Sequence, residues 1–323
     1  MTFNETRREP YLDEGSFNWN VQFTLNDVLP SLIKDSTDAS LNPLDRTEAL
    51  WRLSSEYLDH AIRQYSAGVA VPDMQSHLRA SIEFGSRFVN DIDDGANWPQ
   101  LDLAVQTHYV HALWLLSLTK LLGLGEQQVE NVANFYAADE TNDGADELFE
   151  LILAKLGRKS FDAEGLIHEN PYQLLLDCIK AEPEQRPALM TQFLKRWFKG
   201  QKECDWWGSH IPRKGTTILD TGFFGYWAFE AALVTYLWDI DDSSYRDLPH
   251  YPKDLIDFAR ANAQRDANGK GPSRVPGGQP CPRTGYWFTP ARQNSRTHFE
   301  AGQTMPDVGG TWGATIWQWD EQQ

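Results

Sequence analysis

Residues 225–259 read GYWAFEAALVTYLWDIDDSSYRDLPHYPKDLIDFA. The opening run is nearly all apolar, which predicts a buried helix holding Gly225, Tyr226, Trp227 and Glu230. Asp239, Asp241, Asp242, Asp247 and Asp254 follow, with Arg246 and Lys253 as the only fixed cations of residues 236–255. Asp241, Asp242, Ser243 and Ser244 are types that cap helices and form turns. Tyr251-Pro252 then opens another helix, because proline at a first-turn position gives up no needed N–H. The stretch is a helix–turn–helix corner, and it sets an α-helical frame for what precedes it.

Working backwards, PYQLLLDCIKAE and RPALMTQFLKRWFKG form a helical hairpin with Pro near each start. Earlier still, NPLDRTEALWRLSSEYLDHAIRQYSAG puts Leu50, Leu53, Tyr57 and Ala61 on one helical face, with Gly68 as its stop. VPDMQSHLRASIEFGSRFVNDI gives a second amphipathic helix. WPQLDLAVQTHYVHALWLLSLTKLLGLG is apolar over a wide arc and reads as a buried central helix. EQQVENVANFYAADE and DELFELILAKLG follow as two shorter helices. Each half thus has a buried helix late in its run, then an acidic turn and an amphipathic helix.

Beyond Asn268 the composition changes. GKGPSRVPGGQPCPRTGYWFTP cannot stay helical, and GYWFT, THFEAGQTMP and ATIWQWD read as short strands. Trp287, Trp312, Trp317 and Trp319 would dock this appendage, which is expected to be too short for a core of its own. The fold class is therefore mainly α: two consecutive helical bundle units and a small Gly/Pro/Trp-rich β appendage at the C-terminus. The expected divisions are an arm at 1–20, helical units at 21–157 and 158–268, and a short-strand tail at 269–323 packed on the helices.

Charge bounds the function. Of 323 residues, 29 are Lys or Arg and 46 are Asp or Glu, a net −17. From Gly271 onward four Arg face four acids, so the imbalance sits in residues 1–270. Such a surface repels nucleic acid and anionic membranes and attracts basic proteins. No apolar run spans a bilayer and the N-terminus has no signal-peptide pattern, so a cytoplasmic location is expected. The three cysteines, Cys178, Cys204 and Cys281, have no CxxC spacing.

Chemistry-bearing patterns are sparse. DETNDGADELFE partly matches a calcium loop: Asp139, Thr141, Asp143, Gly144 and Glu150 fall at positions 1, 3, 5, 6 and 12. Asp146 stands where such loops place an aliphatic residue, so Asp139, Asp143 and Glu150 are a weak metal candidate and the expectation is no metal. His108 and His111 lack a third ligand in register. No GxSxG, P-loop, GxGxxG or HExxH occurs. The expectation is a non-enzymatic protein without catalytic residues or cofactors.

The order GYWAFEAALV, DIDDSS, YPKDL resembles the C-terminal helical domain of the PoNi immunity proteins, inhibitors of PoNe-type DNase toxins of type VI and related secretion systems. RASIEFGSRFVNDI and HYVHALWLLSLTKLLGL resemble its N-terminal partner, so the likeness covers about residues 20–268. The tail, CPRTGYWF…AGQTMP…GGTWGATIWQW, lies outside that core and looks like a C-terminal segment of some secretion-associated immunity proteins. The resemblance implies a stoichiometric inhibitor of a basic nuclease toxin. Gly225, Tyr226, Trp227, Tyr251, Pro252 and Asp254, the family motif, are then expected to be structural. The expected toxin-binding residues are the acidic turns: Asp91, Asp93, Asp94, Asp139, Glu140, Asp143, Asp146, Glu147, Asp241 and Asp242. The rival readings are a helical adaptor for an effector and an enzyme with an inter-domain pocket. Aromatic surface near the tail would support a homodimer.

Overall fold

The computed structural model describes residues 2–92, 102–137, 143–269, 274–300, 302–309 and 315–320. They divide into two compact units, Met1–Ala259 and Arg260–Gln323. In chain order the helices are α1 (Phe3–Thr6), α2 (Glu14–Phe23), α3 (Leu29–Thr37), α4 (Pro43–Ser66), α5 (Gln75–Ile92), α6 (Gln106–Leu121), α7 (Glu126–Ala137), α8 (Glu147–Lys155), α9 (Glu169–Lys180), α10 (Arg186–Gly200), α11 (Phe229–Leu237) and α12 (Lys253–Gly269).

Local chemistry fixes the helix ends. Asn42 caps α4 by accepting from Asp45 N at 2.9 Å, with Pro43 in the first turn. Gly68, just past the end of α4, has φ +89°, the left-handed conformation that glycine adopts without steric cost. Its missing side chain also makes room for the arm, since a Cβ there would lie 2.0 Å from Thr6 O. Between α2 and α3 the chain makes a π-helical turn, Thr24–Val28. Pro30, which follows, has no N–H for a carbonyl one turn back, and the wider turn accommodates that loss.

The helices pack mainly in neighbouring pairs: α4 on α5, α9 on α10, α3 on α4. Helices that are not consecutive also meet, α5 against α7 and α6 against α11. α6 and α11, one from each half, both bury most of their residues. Leu113, Leu116, Phe229, Ala232 and Leu233 are all fully buried, within a single core cluster that runs through both halves. Burying each of the Leu and Phe side chains contributes about 1.5–3 kcal/mol. Buried polar groups cross the same boundary. Gln106 Nε2 donates to Gly200 O (2.8 Å) and Gln201 Oε1 (3.0 Å). Gln201 donates to Tyr172 OH at 3.0 Å, and Tyr172 donates to Glu230 Oε1 at 3.3 Å.

One expectation is corrected here. The apolar run before α11 is not helical throughout: the helix begins at Phe229, and Gly222–Ala228 are irregular. The reason is Gly225, whose φ of +118° no helix contains. Gly225, Tyr226 and Trp227 therefore lie in an irregular segment, while Glu230 is helical.

The second unit carries an antiparallel sheet of β1 (Arg274–Pro276), β2 (Gly285–Phe288), β3 (Thr297–Phe299) and β4 (Ile316–Trp319), in the order β1-β4-β2-β3. Contrary to expectation it has a core of its own: Val275, Cys281, Trp287, Phe299, Met305 and Trp317 are buried together. Large aromatics make this possible in so few residues. Trp287 sits edge-on to Trp319 at 5.2 Å and Phe299 to Trp317 at 4.9 Å. Trp312 lies outside the described residues.

Candidate functional site

The corner of residues 225–254 is held by the N-terminal arm, whose residues carry no recognisable motif. Arg8 N and Glu9 N both donate to Ser66 O, at 2.8 and 3.1 Å, at the end of α4. Glu9 is buried and accepts from Tyr226 N at 3.1 Å and Tyr11 N at 3.0 Å. Burial raises its pKa above the ordinary carboxyl range, although the backbone donors oppose the shift. The Arg8 guanidinium donates to Tyr65 O and Val69 O, both at 2.8 Å, and pairs with Asp254.

Ser66 completes the knot. Its hydroxyl donates to Phe224 O at 2.6 Å and accepts from Trp227 Nε1 at 2.8 Å. A Cβ on Gly225 would come within 2.1 Å of that oxygen, so only glycine fits. Tyr226 places its hydroxyl 2.7 Å from His210 Nδ1. Tyr251 OH donates to the buried Asp242 at 3.2 Å. Pro252 O receives Leu255 N at 3.1 Å, ahead of the first turn of α12. Each motif residue thus makes a contact within the fold.

A cleft of about 660 Å³ opens beside this knot, lined among others by Arg7, Glu9, Tyr226, Arg246, His250 and Lys253. Its cations are engaged. Arg7 donates to Leu12 O, Arg246 binds both oxygens of Asp257 (3.0 and 2.8 Å), and Lys253 pairs with Asp247 at 2.6 Å. His250 sits against Tyr226 O at 3.0 Å, and burial lowers its pKa. The cleft presents paired charges and rings, an arrangement suited to shape recognition.

The acidic turns sort by burial. Asp146 is 1% exposed: it caps α8 through Phe149 N (2.9 Å) and accepts from Ile167 N (2.9 Å) and Tyr109 OH (3.1 Å). Asp242, 3% exposed, holds Tyr251 and faces Arg246 at 3.4 Å. Both build their turns from inside. Glu147 is part-exposed and pairs with Lys180 at 2.5 Å, and Asp143 lies 3.9 Å from Lys159. Asp241 is exposed and accepts from Ser243 N and its hydroxyl. Asp91 is exposed on the last turn of α5. Asp93, Asp94, Asp139 and Glu140 lie outside the described residues.

Glu150 is occupied by backbone donors, Gly144 N at 2.9 Å and Phe161 N at 2.7 Å. It fastens the loop on itself. Among the described residues no group of three His, Cys, Asp or Glu is placed to hold a metal. His111 packs on Trp51 at 4.9 Å, with its pKa pushed down to about 3 by burial. The thiols of Cys178 and Cys204 are pushed up by burial to about 11 and 12, away from the thiolate a nucleophile needs. Glu230, fully buried and bonded to Trp197 and Tyr172, is raised to about 7 by desolvation. It stands inside the core.

Two features were missed in the sequence: the arm, whose Arg8 and Glu9 carry no motif, and a ridge on α2. There Trp19 and Phe23 are 42% and 44% exposed. Their i, i+4 spacing was the available signal.

Two family descriptions match the chain. "PoNe immunity protein (PoNi), N-terminal" covers residues 8–134, and "PoNe immunity proteins (PoNi), C-terminal" covers residues 144–255. Among solved structures, protein PA2201 from Pseudomonas aeruginosa is similar, with a TM-score of 0.61 and 18% identity over 78% of this chain and 90% of that one. That likeness is one of fold. No curated protein matches the sequence.

Proposed function

The chain belongs to the PoNe immunity protein (PoNi) family, and on that premise we propose that it neutralises one cognate secreted nuclease by stoichiometric occlusion, with no chemistry of its own. The toxin is a DNase delivered by a type VI or related secretion system, and the complex forms in the cytoplasm of the protected cell. A DNase must present cations to phosphate. A partner with a net charge of −17 is drawn to that face from a distance and covers it on arrival.

The observation that carries this reading is the family match over both helical halves, joined to the acidity of residues 1–270. Of the acidic turns, Asp91, Asp143, Glu147 and Asp241 have exposed or part-exposed side chains that a partner can reach. Asp146 and Asp242 support the turns. Charge reversal at the four reachable positions is expected to weaken toxin binding at least tenfold, measured by calorimetry against the purified nuclease domain. Unchanged affinity would remove the turns from the interface. Binding that leaves cleavage intact would favour an effector adaptor. No helix among the described residues is long and apolar enough to cross a membrane.

A further inference from the structure

Trp19 and Phe23, one turn apart on α2, stack on each other while remaining 42% and 44% exposed, with ring centroids 4.9 Å apart and planes at 19°. Large apolar side chains clustered in solvent mark contact surfaces, and stacked aromatics lose little freedom when covered. Beside them lies a groove of about 290 Å³ lined by Phe23, Asp27, Val28, Leu32, Asp35 and, from α4, Arg52. Neither Asp27 nor Asp35 makes an ion pair among the described residues. Residues 13–38 carry Asp13, Glu14, Asp27, Asp35 and Asp38 against the single cation Lys34.

We propose that this ridge is the anchor with which the chain grips its nuclease: Trp19 and Phe23 cover an apolar spot on the toxin, and a toxin Lys or Arg enters the groove at Asp27 and Asp35. The inference rests on the immunity reading above. Charge selects the occupant. A DNA-binding face is rich in the cations that this acidic, aromatic surface attracts, and a guanidinium also sits well over an aromatic ring. A second copy of the chain would bring its own acids against these, because a two-fold contact pairs like with like. The π turn adds an extra residue per turn beside the groove, a feature frequent at functional sites.

The test compares two variants, W19A/F23A and D27K/D35K, with the unaltered chain, using a catalytically inactive PoNe-type nuclease domain encoded beside it. All four positions are solvent-facing or half-buried, so thermal melting should show both variants folded. The aromatic variant should bind about 100-fold more weakly and the charge variant at least about tenfold, with less salt dependence. If the unaltered chain binds and both variants match it within twofold, the ridge is not the anchor, although the immunity reading stands. If the unaltered chain does not bind, both fall. Light scattering supplies the last outcome: a dimer that W19A/F23A converts to monomer would make the ridge a self-interface and overturn the proposal.

Discussion

Gly225 is held at φ +118° with Ser66 Oγ occupying the space where a Cβ would be, 2.1 Å away. Gly125 has a similar φ, +101°, but nothing within 4 Å. The pair separates backbone strain from steric wedging. Gly125→Ala should cost roughly 1–2 kcal/mol from conformation alone. Gly225→Ala should cost more than about 3 kcal/mol in denaturant unfolding, because Ser66 must also abandon Phe224 O and Trp227 Nε1. Equal costs would contradict the wedge. Glu230 gives a test by pH. Its folded-state pKa is raised to about 7 from 4.5, so the folded state holds the proton more tightly than the unfolded one. Stability is then greatest below pH 4.5 and declines as pH rises to about 7, by on the order of 3 kcal/mol. Relative to the unaltered chain, Glu230→Gln should gain stability from pH 5 to about pH 7 and level off above it in thermal melts. A difference that stays constant with pH would place the titrating group elsewhere. Asp59, also raised to about 7 by burial, contributes equally to both proteins and cancels.

At the scale of elements, the arm ties the two halves of the helical unit through Glu9 to Tyr226 and Arg8 to Asp254. Glu9→Ala leaves the Tyr226 N–H buried without its acceptor, at a cost of about 1–3 kcal/mol. In hydrogen exchange the same variant should lose protection at Tyr226 while α4 keeps its own, and unchanged exchange there would show that the arm is not the clasp. The helices themselves were legible, because apolar spacing and caps such as Asn42 and Gly68 are local signals. Residues 222–228 were not: a run of Gly, Phe, Tyr and Trp has the composition of a buried helix, and the groups that hold it out of one, Ser66 and Glu9, are distant in the sequence. Nor was the arm legible, since the hydrogen bonds that clasp it to α4 and to the corner go to residues more than fifty positions away, which no periodicity records. The strands were legible from their aromatic content, but the buried cluster around Trp287 was not. Of the acidic turns the residue types were legible and the burial was not, which is why Asp146 and Asp242 sit inside the turns that the other acids decorate.

For the whole molecule, a net −17 concentrated in residues 1–270 is a statement about encounters more than about folding. Long-range attraction speeds association and fades as salt shortens the Debye length from about 10 Å at 0.1 M to about 3 Å at 1 M. Raising salt over that range should slow association with the toxin at least tenfold while changing dissociation far less. An association rate insensitive to salt would leave the acidity without a role in recognition. The most direct measurement is a DNA-cleavage titration: a fixed amount of the cognate nuclease domain, increasing amounts of this chain, and cleavage followed to completion. Immunity by occlusion predicts a linear fall in activity that reaches zero at one chain per toxin. Full cleavage at a several-fold excess of a chain that is demonstrably bound would contradict it.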